Sequence, residues 1–322
     1  MTATIKPTSG NPTMSRTEWL LVVTLSVLWG GSFFFVGVVV KEIPPLTVVL
    51  CRIGLAAVTL LLVVRVSRGA MPADPRLWIT FALMGFVNAL LPHSLIVWGQ
   101  RHIDSGLASI LVSTTPLFTV VLASLLTREE HLTITRIIGV LMGLAGVVVL
   151  IGPEALRGLG SHGLGQLAVL GGALSYAAAG IYGRRLKHLP AVVSAAGTST
   201  CTALLLLPIT FLWDRPWTLR PSLVAIGAML GLGLLSTALG YLIFFRILSS
   251  AGATNVMLVN FLVPISSVLL GTLILGERPP FAVFAGMGAI FLGLITIDGR
   301  VWSRARRRLG HAEATAGSGS GS

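Results

Sequence analysis

An internal repeat constrains this chain more than any other feature, because residues 106–129 recur as residues 254–277 at an offset of 148. At this offset Pro116 aligns with Pro264, and Glu129 aligns with Glu277. Each copy is followed by three glycines at the same spacings, namely Gly139, Gly146 and Gly152 in the first copy and Gly286, Gly293 and Gly299 in the second. Matched Leu or Val residues are common in apolar sequence, whereas a matched Pro, Glu and three Gly in one order are not. The chain therefore consists of two copies of one structural unit.

The composition indicates a membrane protein. Hydrophobic residues make up 54% of the chain and charged residues 11%, which is far less charge than soluble domains carry. The apolar residues form runs of roughly 20, the length at which a helix crosses the hydrocarbon core. Continuous runs without period-2 alternation exclude a β-barrel. The sequence predicts an all-α membrane protein with ten transmembrane helices, at residues 18–40, 46–66, 77–99, 104–126, 133–152, 164–184, 191–213, 222–245, 252–275 and 281–299.

The connections between these spans are short and rich in Pro, Gly and charged residues, as expected for turns. The longest connection separates the copies and gives a first five-helix repeat at 18–152 and a second at 164–299. Residues 1–17 are rich in Pro, Thr and Ser, and we expect them to be disordered. Residues 300–322 form a basic tail with a Gly/Ser end.

The distribution of cations predicts the orientation. Most of the 23 Lys and Arg residues lie in connections on the same side as the N-terminus. By the positive-inside rule, both termini are expected in the cytoplasm, with the protein in the inner (plasma) membrane. The net charge of +12 is thus mainly a topology signal. We expect the C-terminal arginines to contact anionic lipid head groups rather than nucleic acid.

The odd number of spans in each copy predicts the architecture. A repeat of five spans enters the membrane in the opposite direction on its second pass. The two halves are then related by a pseudo-two-fold axis in the membrane plane. Inverted halves suit alternating access, because exchanging their conformations converts an inward-open carrier into an outward-open one.

The same residues resemble the EamA family of the drug/metabolite transporter superfamily, over roughly residues 18–152 and 164–299. The resemblance rests on Trp29-Gly30-Gly31-Ser32, on Pro45 followed by Arg52, and on the two Pro…Glu segments with their glycines. It implies a ten-helix carrier, usually an exporter of amino acids or other small metabolites. The second copy departs from the pattern, since no Arg occupies the place of Arg52 and Tyr176 stands where the first copy has Trp29.

Pseudo-symmetry predicts which residues line a cavity between the halves. The offset pairs His93 with Tyr241, Asn88 with Ser236 and, at 147, Trp29 with Tyr176. An unsatisfied polar group inside a span costs several kcal/mol in lipid, so these side chains face a cavity or a neighbouring helix. Ser32 and Asn260 are further candidates for the cavity. The alternative is that all of these residues only pack between helices or bond to a neighbouring helix.

The remaining candidate residues have structural interpretations as well. Pro116 and Pro264 lie inside spans, where they kink a helix and can form a hinge. Glu129 and Glu277 are expected to act as caps or ion-pair partners at span ends. Arg52 lies close enough to the outer end of its span for its stem to snorkel, so it is expected at the outer mouth, either attracting an anionic substrate or pairing structurally.

The residue types in the spans also bear on energy coupling and on other classes of protein. No Asp or Glu lies in the middle of a span, so the carrier either moves its substrate downhill or uses His93 for a proton. We favour downhill efflux. No nucleophile elbow, Walker loop or metal-ligand spacing occurs, which argues against an enzyme and predicts no cofactor or metal.

The substrate class remains open between two kinds of carrier. An exchanger of phosphorylated sugars or nucleotide sugars needs two or more cations in its cavity, and the spans offer only Arg52. A neutral or zwitterionic solute, such as an amino acid or an aromatic or drug-like metabolite, fits better. The sequence predicts a small-molecule substrate and the lipid bilayer as partners, and does not decide between a monomer and a homodimer.

Overall fold

A computed structural model describes residues 14–126, 133–152, 160–256 and 258–298, and all regular secondary structure in these ranges is helical. Eight helices are long and apolar enough to cross a membrane: α1 (Arg16–Val39), α2 (Pro45–Val66), α3 (Pro75–Gly99), α4 (Ser105–Leu126), α5 (Ile134–Ile151), α6 (Ser161–Leu186), α7 (Ala191–Trp213) and α8 (Leu223–Leu248). Two shorter apolar helices follow, α9 (Val259–Leu275) and α10 (Phe281–Asp298). The predicted position of Glu129 lies outside the described residues.

Local sequence explains where these helices begin. Ser15 caps α1 in a capping box with Glu18, whose carboxylate accepts the Ser15 N–H at 2.8 Å. Pro45 and Pro75 occupy first-turn positions of α2 and α3, where the missing N–H is not needed. The largest departure from the predicted spans is at α9, which begins at Val259 instead of residue 252. A separate one-turn helix, Ala253–Val256, precedes it.

The outer surface of the helices is apolar. Many large side chains are exposed there, including Val58 on α2, Leu212 on α7 and Leu273 on α9. Exposed apolar area on this scale matches a lipid environment rather than water. The protein is therefore a multi-pass membrane protein.

The two glycine ladders pack against each other. A Cβ on Gly139 of α5 would lie 2.6 Å from the carbonyl oxygen of Gly293, and one on Gly146 would lie 2.7 Å from that of Gly286. Along this contact the residue numbers increase on α5 and decrease on α10, so the two helices run antiparallel. Glycine is needed at these crossings because the two backbones approach within contact distance.

Other contacts also join corresponding helices of the two copies. Thr47 at the start of α2 binds Asp214 at the end of α7, so these two helices are antiparallel as well. The first helix of each copy also packs on the other copy: α1 packs on α8 and α9, and α6 packs on α3 and α4. Because α3 and α4 correspond to α8 and α9 in the repeat, α1 and α6 have equivalent neighbours.

Three of the long helices are interrupted. A π-helical turn, Phe86–Leu90, divides α3, and a longer π-helical stretch, Gly231–Leu239, divides α8. These two interruptions coincide at the repeat offset of 148. The third interruption is in α4, whose first part ends at Val112 and whose second part begins at Thr115.

Candidate functional site in the cavity between the two repeats

A cavity of about 690 Å³ lies between the two copies. The six residues that pseudo-symmetry pairs and the two further candidates, Ser32 and Asn260, all line it: Trp29, Ser32, Asn88, His93, Tyr176, Ser236, Tyr241 and Asn260. Its size and its mixture of apolar walls with a few polar groups are typical of small-molecule sites.

The interrupted segments place polar residues on the cavity wall. Asn88 lies in the π-helical turn of α3 and Ser236 in the π-helical stretch of α8. A π-helical turn widens the helix and redirects its hydrogen bonds, and such turns are frequent at functional sites. In α3 the Val87 carbonyl accepts a hydrogen bond of 2.7 Å from the Ser175 hydroxyl, which belongs to a different helix, α6. Pro92, which has no N–H, follows this turn and contributes to the break.

His93 joins the two copies through a short hydrogen-bond chain. Its Nδ1 lies 2.7 Å from the Ala89 carbonyl oxygen, and its Nε2 lies 3.3 Å from the Tyr176 hydroxyl of α6. A carbonyl only accepts, so Nδ1 carries a proton, and in the neutral imidazole Nε2 accepts from the tyrosine. Both ring nitrogens therefore have partners within the protein, and the imidazole is 4% exposed.

Arg52 lies in the cavity wall and not at the outer mouth, where the sequence analysis expected it. Its Nε donates a hydrogen bond of 2.9 Å to the Thr237 hydroxyl of α8. That hydroxyl in turn donates to the Leu232 carbonyl at 2.8 Å, five residues earlier, which is the register of the π-helical stretch. The second copy thus holds the guanidinium inward, whereas snorkelling would carry it towards the membrane surface.

Aromatic rings form the apolar walls. Trp29 stacks on Phe244 with a centroid distance of 5.5 Å, and Tyr241 stacks on Phe245 at 6.3 Å. All four residues line the cavity, so these rings pack with each other and also face the open space.

Several buried polar atoms of the lining have no hydrogen-bond partner among the described residues. They are Gln100 Oε1, Ser194 Oγ and Ser236 Oγ. Leaving such an atom unbonded costs about 1–3 kcal/mol. Gln100 and Ser194 were not among the predicted lining residues: Gln100 forms no polar pair at the repeat offset, and the pair of Ser194 with Thr47 at an offset of 147 was not considered.

The cavity is open at the end where α7 begins and closed at the end where α7 finishes. Ala191, the first residue of α7, lines the cavity together with Lys187 and Leu189 of the preceding connection. Asp214, which follows the last residue of α7, instead accepts hydrogen bonds from the Thr47 N–H at 2.7 Å and its hydroxyl at 2.9 Å.

Two further carboxylates join the copies at the closed end. Glu277 accepts from the Ser105 N–H at 2.9 Å, its hydroxyl at 2.7 Å and the Gly106 N–H at 3.2 Å, and so caps α4. Glu42 accepts from the Ser222 N–H at 2.7 Å and its hydroxyl at 2.8 Å at the start of α8. We call Glu42, Asp214 and Glu277 the closing carboxylates, because each one binds the first turn of a helix in the other copy.

The pKa values at this end follow from these contacts. The hydrogen bonds from the Ser222 backbone and side chain favour the ionised carboxylate, so they lower the pKa of Glu42. Asp104 precedes α4, and burial, followed by the charge of Glu277, raises its pKa. The closing carboxylate Glu42 is therefore ionised at neutral pH, as its role as a hydrogen-bond acceptor requires.

The two prolines occupy different environments. Pro264 lies inside α9, and Pro116 lies just after the interruption in α4. Pro116 has no N–H for the Val112 carbonyl four residues earlier, and the Thr115 hydroxyl donates to that carbonyl at 2.7 Å instead. This local compensation explains how α4 tolerates a break inside the membrane.

Two segments of the chain, residues 17–152 and 163–297, match the EamA-like transporter family. The chain belongs to this family. As a member of the family, it carries one family unit in each copy of its repeat.

Curated proteins that are similar to this chain are named as transporters. The EamA family member is 26% identical over 274 residues to the uncharacterized transporter YoaV of Bacillus subtilis, covering 85% of this chain and 94% of that protein. It is 27% identical over 280 residues to the uncharacterized inner membrane transporter YedA of Escherichia coli, covering 85% and 88%. A crystal structure of another protein, 20% identical, superposes with a TM-score of 0.64 over 91% of this chain and 99% of that one, which shows a common fold.

Proposed function

We propose that this EamA family member is a carrier that exports a small solute across the inner membrane by alternating access. The solute is neutral or zwitterionic overall, such as an amino acid or an aromatic or drug-like metabolite. The observation that carries this proposal is the cavity between the copies, which takes its lining from positions paired at the repeat offset. A pocket shared by two equivalent halves is what a carrier requires, because each half can open it to one side.

The proposal includes ten transmembrane helices arranged as two inverted repeats. The antiparallel packing of α5 on α10 and of α2 on α7 supports inversion, because each pair consists of corresponding helices. The helix α9 continues from the one-turn helix Ala253–Val256, and together they provide enough length to cross the hydrocarbon core. With both termini in the cytoplasm, the open end of the cavity faces the cytoplasm and the closing carboxylates face outward.

Alternating access then requires that the closing carboxylates release their helices. Glu42, Asp214 and Glu277 all lie at one end, and each bond links one copy to the other. At an offset of 147, Glu42 corresponds to Leu189 and Asp214 to Ser67. Two of the three closing contacts therefore have no acidic counterpart at the other end, which favours closure on the outer side at rest.

The lining supports downhill transport. Among the described residues that line the cavity there is no Asp or Glu to carry a proton through the membrane. His93 is the remaining candidate, and both of its ring nitrogens are engaged with the Ala89 carbonyl and the Tyr176 hydroxyl. An exchanger of phosphorylated sugars has less support, because Lys187, the second cation of the lining, lies in the connection after α6 rather than beside Arg52.

A thermal-shift screen of metabolites on the purified protein tests this function. A solute bound in the cavity should raise the Tm of the wild type and should raise it much less in His93→Ala, which removes the ring that links α3 to Tyr176. The same solute should exchange in counterflow when the wild type is reconstituted in proteoliposomes. Collapsing the proton gradient should leave the initial rate unchanged. Conversion of the solute to a product, or a rate that depends on the gradient, would contradict the corresponding part of the proposal.

A further inference from the structure

Arg52 lines the cavity with a guanidinium group whose hydrogen bonds are only partly made. Its Nε is bonded to Thr237, and no described residue accepts a hydrogen bond from its two terminal nitrogens. Its electrostatic neighbours in the site are the phenol groups of Tyr176 and Tyr241, neither of which is an anion at neutral pH. A guanidinium is always charged in a protein, so it cannot escape the cost of burial by losing its proton.

The described residues of the cavity wall carry no compensating negative charge. The described lining residues include Arg52 and Lys187 but no Asp or Glu. A buried cation without an anionic partner is costly, and proteins normally pair such a charge. A neutral solute that displaced water from the guanidinium would increase this cost, whereas an anionic group on the solute would remove it.

We propose that the solute carries a carboxylate and that Arg52 binds it. This inference rests on the proposed function for the same cavity. It keeps the zwitterionic members of the proposed substrate class, drops the neutral ones and adds monocarboxylate anions. The planar guanidinium has two terminal nitrogens left for a bidentate contact, which matches the two oxygens of a carboxylate.

The rest of the lining defines what accompanies the carboxylate. The stacked rings of Trp29 and Phe244 offer an apolar wall for the body of the solute. The described lining residues include no acidic partner for a positively charged ammonium. Binding therefore requires the carboxylate and the apolar body, and does not require an amino group. An aromatic carboxylic acid should bind at least as well as the amino acid with the same side chain.

The test compares carboxylates with their own primary amides, which have nearly the same shape and lack the carboxylate charge. The panel runs from acetate through 3-phenylpropionate to indole-3-propionate, and adds L-phenylalanine, a zwitterion, with its amide, which keeps only the amino group. Binding is measured by thermal shift and by Trp fluorescence on the wild type, Arg52→Gln, Arg52→Lys and Arg65→Gln. Arg65 is the control, because it lies exposed at the end of the same helix.

We expect at least one aromatic acid to raise the Tm of the wild type while its amide does not. Arg52→Gln should weaken binding of that acid at least tenfold, Arg52→Lys should weaken it less, and Arg65→Gln should leave it unchanged. The comparison of acid with amide on the wild type remains decisive if Arg52→Gln does not fold.

Two outcomes separate this inference from the proposed function. If amides bind as well as acids and exchange in counterflow, the protein is a carrier but Arg52 does not select a carboxylate. If no acid in the panel binds, the inference is overturned, and the metabolite screen on the wild type decides the proposed function by itself.

Discussion

Gly293→Ala should destabilise the protein by about 3 kcal/mol, at the upper end of what overpacking usually costs. The added Cβ would lie 2.5 Å from the Gly139 carbonyl oxygen and 2.7 Å from the Gly143 nitrogen. These are backbone atoms and cannot turn aside as a side chain does, so α10 has to move away from α5. Thermal unfolding of the purified variant in detergent should show a Tm several degrees below that of the wild type.

Gly288→Ala is the matched control on the same helix. A Cβ at Gly288 meets nothing within 4 Å. Alanine favours a helix over glycine by about 1 kcal/mol, so this variant should be as stable as the wild type or slightly more stable. Equal Tm values for Gly293→Ala and Gly288→Ala would contradict the close crossing of the two glycine ladders.

Glu277→Ala should open the outer end of the cavity. It removes three hydrogen bonds to the first turn of α4, and bonds to a charged group contribute about 1.5–3 kcal/mol each. Since 1.4 kcal/mol changes an equilibrium tenfold, the outward-open population should rise at least tenfold. A cysteine at position 32, on the cavity wall, reports this change in intact cells through its rate of reaction with a membrane-impermeant maleimide.

Asp74→Ala serves as the control for losing a carboxylate cap. Asp74 accepts a hydrogen bond from the Arg76 N–H at 2.9 Å at the start of its own helix. This contact lies within the first copy and does not link it to the second. Asp74→Ala should therefore leave the labelling rate of position 32 unchanged. A labelling rate in Glu277→Ala no higher than in Asp74→Ala would show that the closing carboxylates do not hold the outer end shut.

The repeat explains why the lining could be predicted. Residues at one offset occupy equivalent places in two copies, so a polar pair such as His93 and Tyr241 has to face either a shared space or equivalent neighbours. Asn88 and Ser236 follow the same rule, and both lie in π-helical segments that correspond in the two copies. The offset narrowed these positions to a shared cavity or helix packing, and the structure places them on the cavity wall.

The position of Arg52 and the roles of two closing carboxylates, Glu42 and Asp214, could not be predicted in the same way. Arg52 points inward because Thr237 binds it, and that contact depends on how the π-helical stretch of α8 rotates the threonine. Glu42 and Asp214 were not singled out, because their partners Ser222 and Thr47 lie more than 160 positions away. Contacts of this kind depend on how helix ends meet, which single-sequence patterns do not encode.

The central claim is that the two copies are inverted with respect to each other, and cysteine labelling of two equivalent turns tests it most directly. Lys41 follows α1 and His188 follows α6, both are exposed, and they correspond at an offset of 147. Single cysteines are placed at these positions after Cys51 and Cys201 have been replaced by serine. The account predicts that a membrane-impermeant maleimide labels position 41 in intact cells and position 188 only after the cells are opened. Labelling of both positions from the same side would contradict it.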